Sequence, residues 1–323
     1  MELRQLRYFV GASEAGSLLQ ASARLHVAQP ALSQQIAALE SELGAQLFER
    51  SSRGVTLTGA GKVFLEHARV VLMDLERARD AVREIGSMPR GEVAIGLPTT
   101  VGLTATVAIL AACRARYPEI RLKVVEAYSG FLREWLQSGR LDLAVLFGDA
   151  PEPGLTKQPL LEEWLVFVAG PSGPTLPKAL ALSALAKWPM VLPGQEHGLR
   201  KIIDDACASQ GVQLEIVAEV ESLRSVKLAA RRGIGATILP MGSVAEEVAQ
   251  GQLRSARIKS PAMTRRVVCA TNTARPATLA KSAVHALVCD VMRDMVLSGE
   301  WPARWIGASA KAGVRAAAAS TGP

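Results

Sequence analysis

The sequence predicts an α/β protein in two parts. A mainly α winged helix-turn-helix and one long helix come first; a two-lobed α/β domain follows. Three observations carry this. Apolar residues recur at spacings of 3 and 4 up to Ile85, short apolar runs alternate with amphipathic segments from Glu92 onward, and "GSMPRG" at 86–91 separates the two regimes. The 323 residues are comfortable for two or three domains, and 49% hydrophobic with 21% charged residues is a globular composition.

Leu3, Leu6, Phe9 and Val10 mark one face of a first helix. Gly16 breaks it, and Ser17 is suited to cap a second helix carrying Leu18, Ala21 and Leu25. "HVA" makes a turn, and Pro30 sits just inside the next helix start, where its missing N–H costs nothing. In that third helix Leu32, Ile36, Leu39 and Leu43 must face a core. Gln29, Ala31, Ser33, Gln34 and Ala37 are left outside, beside Pro30. Gln can pair bidentately with adenine, Ser reaches bases or phosphates, and Ala packs on a thymine methyl, so this face suits a DNA major groove. A plain three-helix bundle with a solvated Gln/Ser face is the competing reading. "LFERSSRGVTLTGAG" weighs against it: Arg50 and Arg53 flank a short turn, Gly54 stands at its bend, and "GVTLT" can be a small strand, which together make a wing suited to phosphate and minor-groove contact.

Thr58 precedes the long helix as its expected cap. Phe64, Ala68, Val71, Leu75, Ala78, Val82 and Ile85 alternate by 4 and 3, an a/d seam of about three heptads that calls for a second copy of the helix. The alternative is an amphipathic helix lying on the second domain. Gly86, Pro89 and Gly91 then form a hinge.

From Glu92, "VAIGL", "LKVVEA" and "LDLAVLF" are strands separated by helices, a βαβαβ unit with a mainly parallel sheet. "WLVFVAG" passes onward to a second set ("PMVLPG", "LEIVAEV", "GATILP"), and "RRVVCATN" returns, so two crossing strands join two lobes. Ligands in such folds bind at strand C-termini and helix N-termini. The candidates are Pro98, Thr99 and Thr100 after the first strand, Ser129 before a helix, Phe147 and Gly148 at a strand end, Gln195, Glu196 and His197 at a helix start, and Ser222 at another. Hydroxyls with helix N–H groups suit a small anion; simple helix capping by Thr and Ser is the rival reading, and Glu196 and Glu221 would repel an anion or pair a ligand amine.

Other classes find little support. Cys113, Cys207, Cys269 and Cys289 form no CxxC pair, so no metal cluster is expected and buried free thiols are; a peroxide-sensing cysteine is the alternative. His26, His67, His197 and His285 are too scattered for a catalytic triad, and Walker and GxGxxG patterns are absent, so neither an enzyme nor a cofactor is expected. The N-terminus has no signal-peptide h-region and no apolar run is long enough to span a membrane, which points to a cytoplasmic protein without membrane contact. The net charge of +7 is compatible with acidic partners, yet residues 1–86 hold ten Lys/Arg and ten Asp/Glu. Residues 300–323, rich in Ala, Gly and Ser, read as a disordered tail.

The stretch "GSLLQASARLHVAQPALSQQIAALESELGAQLFERSSRGVTLTGAG" resembles the winged helix-turn-helix of LysR-type transcriptional regulators, and the resemblance extends over the chain up to the tail. "VAQPALSQQ", "RGVTLTGAGK" and "QPLLEE" look most like the nitrogen assimilation control subgroup. The resemblance implies a DNA-binding domain at 1–58, a dimerising linker helix at 59–86, a hinge at 87–91 and, at 92–299, an effector domain similar to a periplasmic binding protein. It further implies a dimer or tetramer on pseudo-palindromic double-stranded DNA, a small-molecule effector, and RNA polymerase as a further partner. A solute-binding protein with a helical appendage is the alternative. Family members often carry Arg at the positions of Gln34 and Ala37; the nearly uncharged face here implies fewer phosphate anchors and a lower salt slope.

Overall fold

A computed structural model of the chain describes residues 1–51, 54–83 and 88–307. The chain divides into two units, Met1–Ser87 and Met88–Pro323.

The first unit contains α1 (Leu3–Ala15), α2 (Leu18–Leu25), α3 (Gln29–Leu43), β1 (Phe48–Ser51), β2 (Gly54–Leu57) and α4 (Gly59–Arg83). Ser17 caps α2 as expected, its Oγ accepting from Gln20 N. His26 ends α2 in the left-handed region at φ 53°, the one non-glycine among the described residues to do so. That conformation lets Val27 and Ala28 turn the chain straight into α3. Phe9, Ala21, Leu32, Ile36 and Leu39 are fully buried together. Each large side chain among them contributes roughly 1.5–3 kcal/mol by leaving water. Antiparallel β1 and β2 form the wing. Gly54, at φ +130°, closes it against Gly16: Val55 N donates to Gly16 O at 2.9 Å, and a Cβ on Gly54 would stand 2.3 Å from that same oxygen. Thr58 Oγ1 accepts from Gly61 N at 2.9 Å and so caps α4.

The seam expected along α4 is corrected at its start. Phe64 packs edge-on against Phe9 of its own chain, with ring centroids 5.1 Å apart, and Ala68 is buried in the same core. The apolar stripe therefore begins inside the winged domain. It emerges farther along, where Val71 is 44% exposed, Leu75 half-buried and Ala78 exposed. The Val82 side chain and Ile85 lie outside the described residues.

The second unit begins with β3 (Gly91–Leu97), α5 (Thr99–Arg116), β4 (Ile120–Glu126), α6 (Ser129–Gln137) and β5 (Leu143–Phe147). The long β6 (Leu155–Ala169) follows, then β7 (Ala179–Ala181), β8 (Pro189–Leu192), α7 (Gly198–Ala208), β9 (Glu215–Glu219), α8 (Leu223–Arg231) and β10 (Thr237–Pro240). Short α9 (Ala245–Ala249), β11 (Arg254–Lys259), β12 (Thr264–Asn272), α10 (Leu279–Ser298) and β13 (Ala303–Trp305) complete it.

Two lobes follow from this order. Core residues from Leu165 to Met263 form one apolar cluster, while two others cover the opposite faces of the β4-β3-β5-β12-β6 sheet. The chain crosses between lobes twice, along β6 and at the start of β12, as the sequence suggests. The sheet is less parallel than expected: β3 pairs in parallel with β4 and β5, but β12 is antiparallel to both β5 and β6, and β10, β11 and β13 are antiparallel to β6. The reason is that β6 leaves the first lobe and β12 returns to it alongside, so the two run in opposite directions and need no helical crossover.

The tail expected from residue 300 is also corrected. Trp301 is 1% exposed, and Ala303–Trp305 pair with Leu161–Glu163 of β6. Composition hid this, because one buried Trp and three strand residues fix a segment whose neighbours are small. Residues 308–323 lie outside the described set.

Candidate nucleic-acid interface and ligand cavity

The 3.6-residue period sorts α3 into two faces. Leu32, Ile36 and Leu39 are fully buried, whereas Gln29, Pro30, Ala31, Gln34 and Ala37 are exposed and Ser33 half-exposed. Arg50, on β1, reaches back to this helix: its Nη1 donates to Ser33 Oγ at 3.2 Å and its Nη2 lies 3.8 Å from the buried carboxylate of Glu40. The Arg50 charge thus stands beside the exposed row. Arg53 lies outside the described residues.

Glu40 is the part that sequence reasoning missed. It is 4% exposed, and its Oε1 accepts from Leu47 N at 2.8 Å and Phe48 N at 3.1 Å. One side chain therefore ties the end of α3 to the first wing strand and fixes the wing's position relative to the Gln/Ser face. Its signal was an acid falling one residue after Leu39 on the buried side of the helix.

In the second unit a cavity of about 610 Å³ opens between the lobes. Of the expected residues, Pro98, Thr99, Thr100, Ser129, Phe147, Glu196 and His197 line it. Gly148, Gln195 and Ser222 do not. Gly148 turns away at φ 84°, Gln195 is exposed outside, and Ser222 caps α8 by accepting from Ser225 N, so the bland capping reading holds there.

Arg265 is the central residue missed. It starts β12 directly opposite Glu163 of β6, so the two crossing strands place a base and an acid side by side. Both side chains are 3% exposed and form an ion pair through Arg265 Nε and Glu163 Oε1. The other Glu163 oxygen accepts from Trp301 Nε1 at 3.3 Å. The guanidinium continues into the cavity: Nη2 donates to Thr100 Oγ1 at 2.6 Å, and its carbon lies 3.7 Å from the centre of the Phe147 ring. Trp301, Glu163, Arg265 and Thr100 are thus one buried relay from the end of the fold to the N-terminus of α5. Two adjacent arginines leading into the apolar run of "TRRVVCATN" were the readable sign, since strand alternation turns one of them inward.

The far wall belongs to the second lobe. Tyr128, at the N-cap of α6, donates its hydroxyl across the cleft to the Glu221 carbonyl at 2.9 Å and meets the His197 ring edge-on at 5.5 Å. Burial pushes the Tyr128 hydroxyl pKa up, and the nearby Glu221 adds to this. His197 Nδ1 accepts from Leu199 N at 3.1 Å, which leaves the ring proton on Nε2. Burial pulls the His197 pKa down against the raising effect of Glu221, so the ring is neutral near pH 7. The walls therefore differ. The first lobe offers Thr99, Thr100 and Ser129 hydroxyls, the N-termini of α5 and α6, the guanidiniums of Arg265 and Arg133, and one carboxylate, Glu134. The second offers the carboxylates of Glu196 and Glu221.

Comparisons with known proteins cover both units of the chain. Residues 3–62 match the family described as bacterial regulatory helix-turn-helix protein, lysR family, and residues 86–293 match the LysR substrate binding domain. The chain is 38% identical over 264 residues to the nitrogen assimilation regulatory protein nac of Klebsiella aerogenes, a match covering 81% of this chain and 86% of that protein. The protein of the same name from Escherichia coli strain K12 is 36% identical over the same shares. Among solved structures, full-length CbnR complexed with its target DNA is similar, with TM-score 0.70 and 25% identity over 91% of this chain and 99% of that one. A Corynebacterium glutamicum OxyR mutant is similar at TM-score 0.59 and 26% identity, over 92% and 94%.

Proposed function

The chain belongs to the LysR family of transcriptional regulators, and on that premise we propose that it reads a pseudo-palindromic operator as a dimer or a dimer of dimers, under control of a small ligand held between the lobes. The observation that carries the DNA reading is the row Gln29, Pro30, Ala31, Ser33, Gln34 and Ala37 outside a fully buried Leu32–Ile36–Leu39 face. Gln29 and Gln34 offer paired donor and acceptor groups to adenine edges, Ala31 and Ala37 fit thymine methyls, and Arg50 beside Ser33 neutralises phosphate. The likeness to CbnR, solved with its target DNA, supports this reading. It also displaces the solute-binding alternative, since the helical appendage carries its own helix-turn-helix family match.

Dimerisation falls to the emergent part of the α4 stripe, from Val71 through Leu75 and Ala78, because Phe64 and Ala68 are already used within the chain. Two copies joined there present two α3 faces to two half-sites. Contact with RNA polymerase and a cytoplasmic location accord with this role; no helix among the described residues is long and apolar enough to cross a membrane.

The two unlike walls of the cavity revise the expected effector. A carboxylate end fits the helix N-termini with Thr99, Thr100 and Ser129, and an amine end fits Glu196 and Glu221, so the effector class is zwitterionic rather than simply anionic. The similarity to the nac proteins makes nitrogen-assimilation genes the first targets to examine. The test is sequencing of genomic DNA captured by the purified protein. It should yield a two-fold symmetric site bound by wild type. Recovery of DNA without any shared symmetric element would overturn the operator reading.

A further inference from the structure

Three soft donor groups converge on the α10 side of the first-lobe sheet, away from the inter-lobe cavity. Cys269 lies in the middle of β12, paired with Val145 on one side and Gln158 on the other, and it is 1% exposed beneath α10. His285 and Cys289 stand four residues apart on α10, so one helical turn places both on the same face above it. The two Sγ atoms and a ring nitrogen of His285 all lie within 4.8 Å of one another.

Sequence distance had set these residues apart. Neither cysteine has a CxxC neighbour, and only the packing of α10 on β12 brings them together. Two thiols and an imidazole are a soft to borderline donor set, unsuited to Mg2+ or Ca2+ and suited to d10 ions. Tetrahedral Zn2+ with S and N ligands keeps its donor atoms about 3.5–3.8 Å apart, so from a spread of up to 4.8 Å a contraction of at most about 1.3 Å is needed here. Cys113 and Cys207, the other two cysteines, have no such company among the described residues.

We propose that Cys269, His285 and Cys289 bind one thiophilic d10 metal ion, Zn2+ or Cu+. Binding converts both thiols to thiolates and releases their two protons to solvent. Three protein ligands satisfy a trigonal Cu+ centre, or leave a fourth position to water on Zn2+. The ion pins α10 to β12, the strand that begins beside Arg265, and α10 ends at Ser298 just before Trp301. Metal occupancy therefore stiffens both approaches to the buried relay at the cavity.

The test uses the full chain, reduced, stripped of metal with a chelator and kept anaerobic. Zn2+ is titrated in competition with a chromophoric zinc chelator, and Cu+ with a cuprous-specific one. The expected result is one ion per chain for at least one metal, with the preferred ion identified by which competitor is beaten. Affinity should fall at least 100-fold in Cys289→Ser and at least tenfold in His285→Asn, and stay unchanged in Cys207→Ala. Cys289 and His285 are only half-buried, and circular dichroism checks that each variant folds. Affinities equal in wild type and both variants would overturn the site. So would a Cys269–Cys289 disulfide formed under peroxide in a protein that holds neither ion, which would assign the pair to thiol redox chemistry instead.

Discussion

On α3, Gln29 to Ala37 alternate between surface and core within three turns, and Arg50 reaches the same face from the adjoining wing. In the inter-lobe cavity, Thr100, Glu163, Arg265 and Trp301 come from one helix start, two crossing strands and the last turn before β13, yet form one hydrogen-bonded series. The first region is built by local periodicity, and a single substitution on its outer face leaves the core untouched. The second is built by topology: Glu163, Arg265 and Trp301 are buried, Thr100 is half-buried, and each is hydrogen-bonded to the next, so a substitution there disturbs folding as well as binding. The proposed DNA-reading face and the proposed ligand cavity thus have different vulnerabilities within one chain.

The largest expected effect tests the relay. Arg265→Ala leaves the Glu163 carboxylate buried with Trp301 as its remaining donor, which should cost about 3–5 kcal/mol and show as a large drop in thermal midpoint. Arg265→Met combined with Glu163→Leu should recover much of that loss without restoring ligand response. If Arg265→Ala unfolds at the wild-type temperature, the relay is not buried as described. A chain ending at residue 299 probes the same series from its other end. Loss of the Trp301 side chain alone is worth about 3–5 kcal/mol, so that truncation should be destabilised and one ending at 307 should not. Equal denaturation midpoints for the two truncations would restore the reading of residues 300–307 as tail.

Next comes the dimer face. Leu75→Asp would bury an unpaired charge against a second α4, a penalty of several kcal/mol. Sedimentation should then report monomer, and operator affinity should collapse while the winged domain stays folded. The structure sharpens this: Phe64→Ala should instead lower the stability of the winged domain itself, through its contact with Phe9. A Leu75→Asp protein that remains dimeric on wild-type operator affinity would remove the coiled-coil reading.

The smallest effect concerns pH. The folded pKa of His197 is held below its unfolded value of about 6.5 by burial. The folded state therefore binds fewer protons, and the contribution of neutral His197 is present above about pH 6.5 and lost as pH falls through the lowered folded value. His285 has the same sign from burial and Lys281. His197→Gln should flatten the fall in stability between neutral and mildly acidic pH, measured by denaturant midpoints. An unchanged slope would show that His197 titrates alike in both states.

How much was legible follows from the same contrast. The turn after α2, the caps at Ser17 and Thr58 and the outward row on α3 depend on residues within a few positions of each other and are legible in the sequence. The succession of the main strands and helices was also readable, because short apolar runs alternate with amphipathic segments; β7, β11 and β13 were not. Arg265 and Glu163 were not, since no local spacing shows that β12 and β6 lie side by side with those two positions opposed. Phe64 was assigned to an intermolecular seam because its period matches the stripe; periodicity names a buried face without naming what buries it. Trp301 was absorbed into a compositional reading of its neighbours, and the pairing of Ala303–Trp305 with β6 decided otherwise.

The central claim is that the exposed face of α3 reads base edges, and its most direct measurement is the affinity of wild type and Gln34→Ala for the operator and for random duplex at two salt concentrations. The account predicts a loss of about 1–3 kcal/mol on the operator, little change on random DNA, and an unaltered salt slope; equal losses on both DNAs would contradict it.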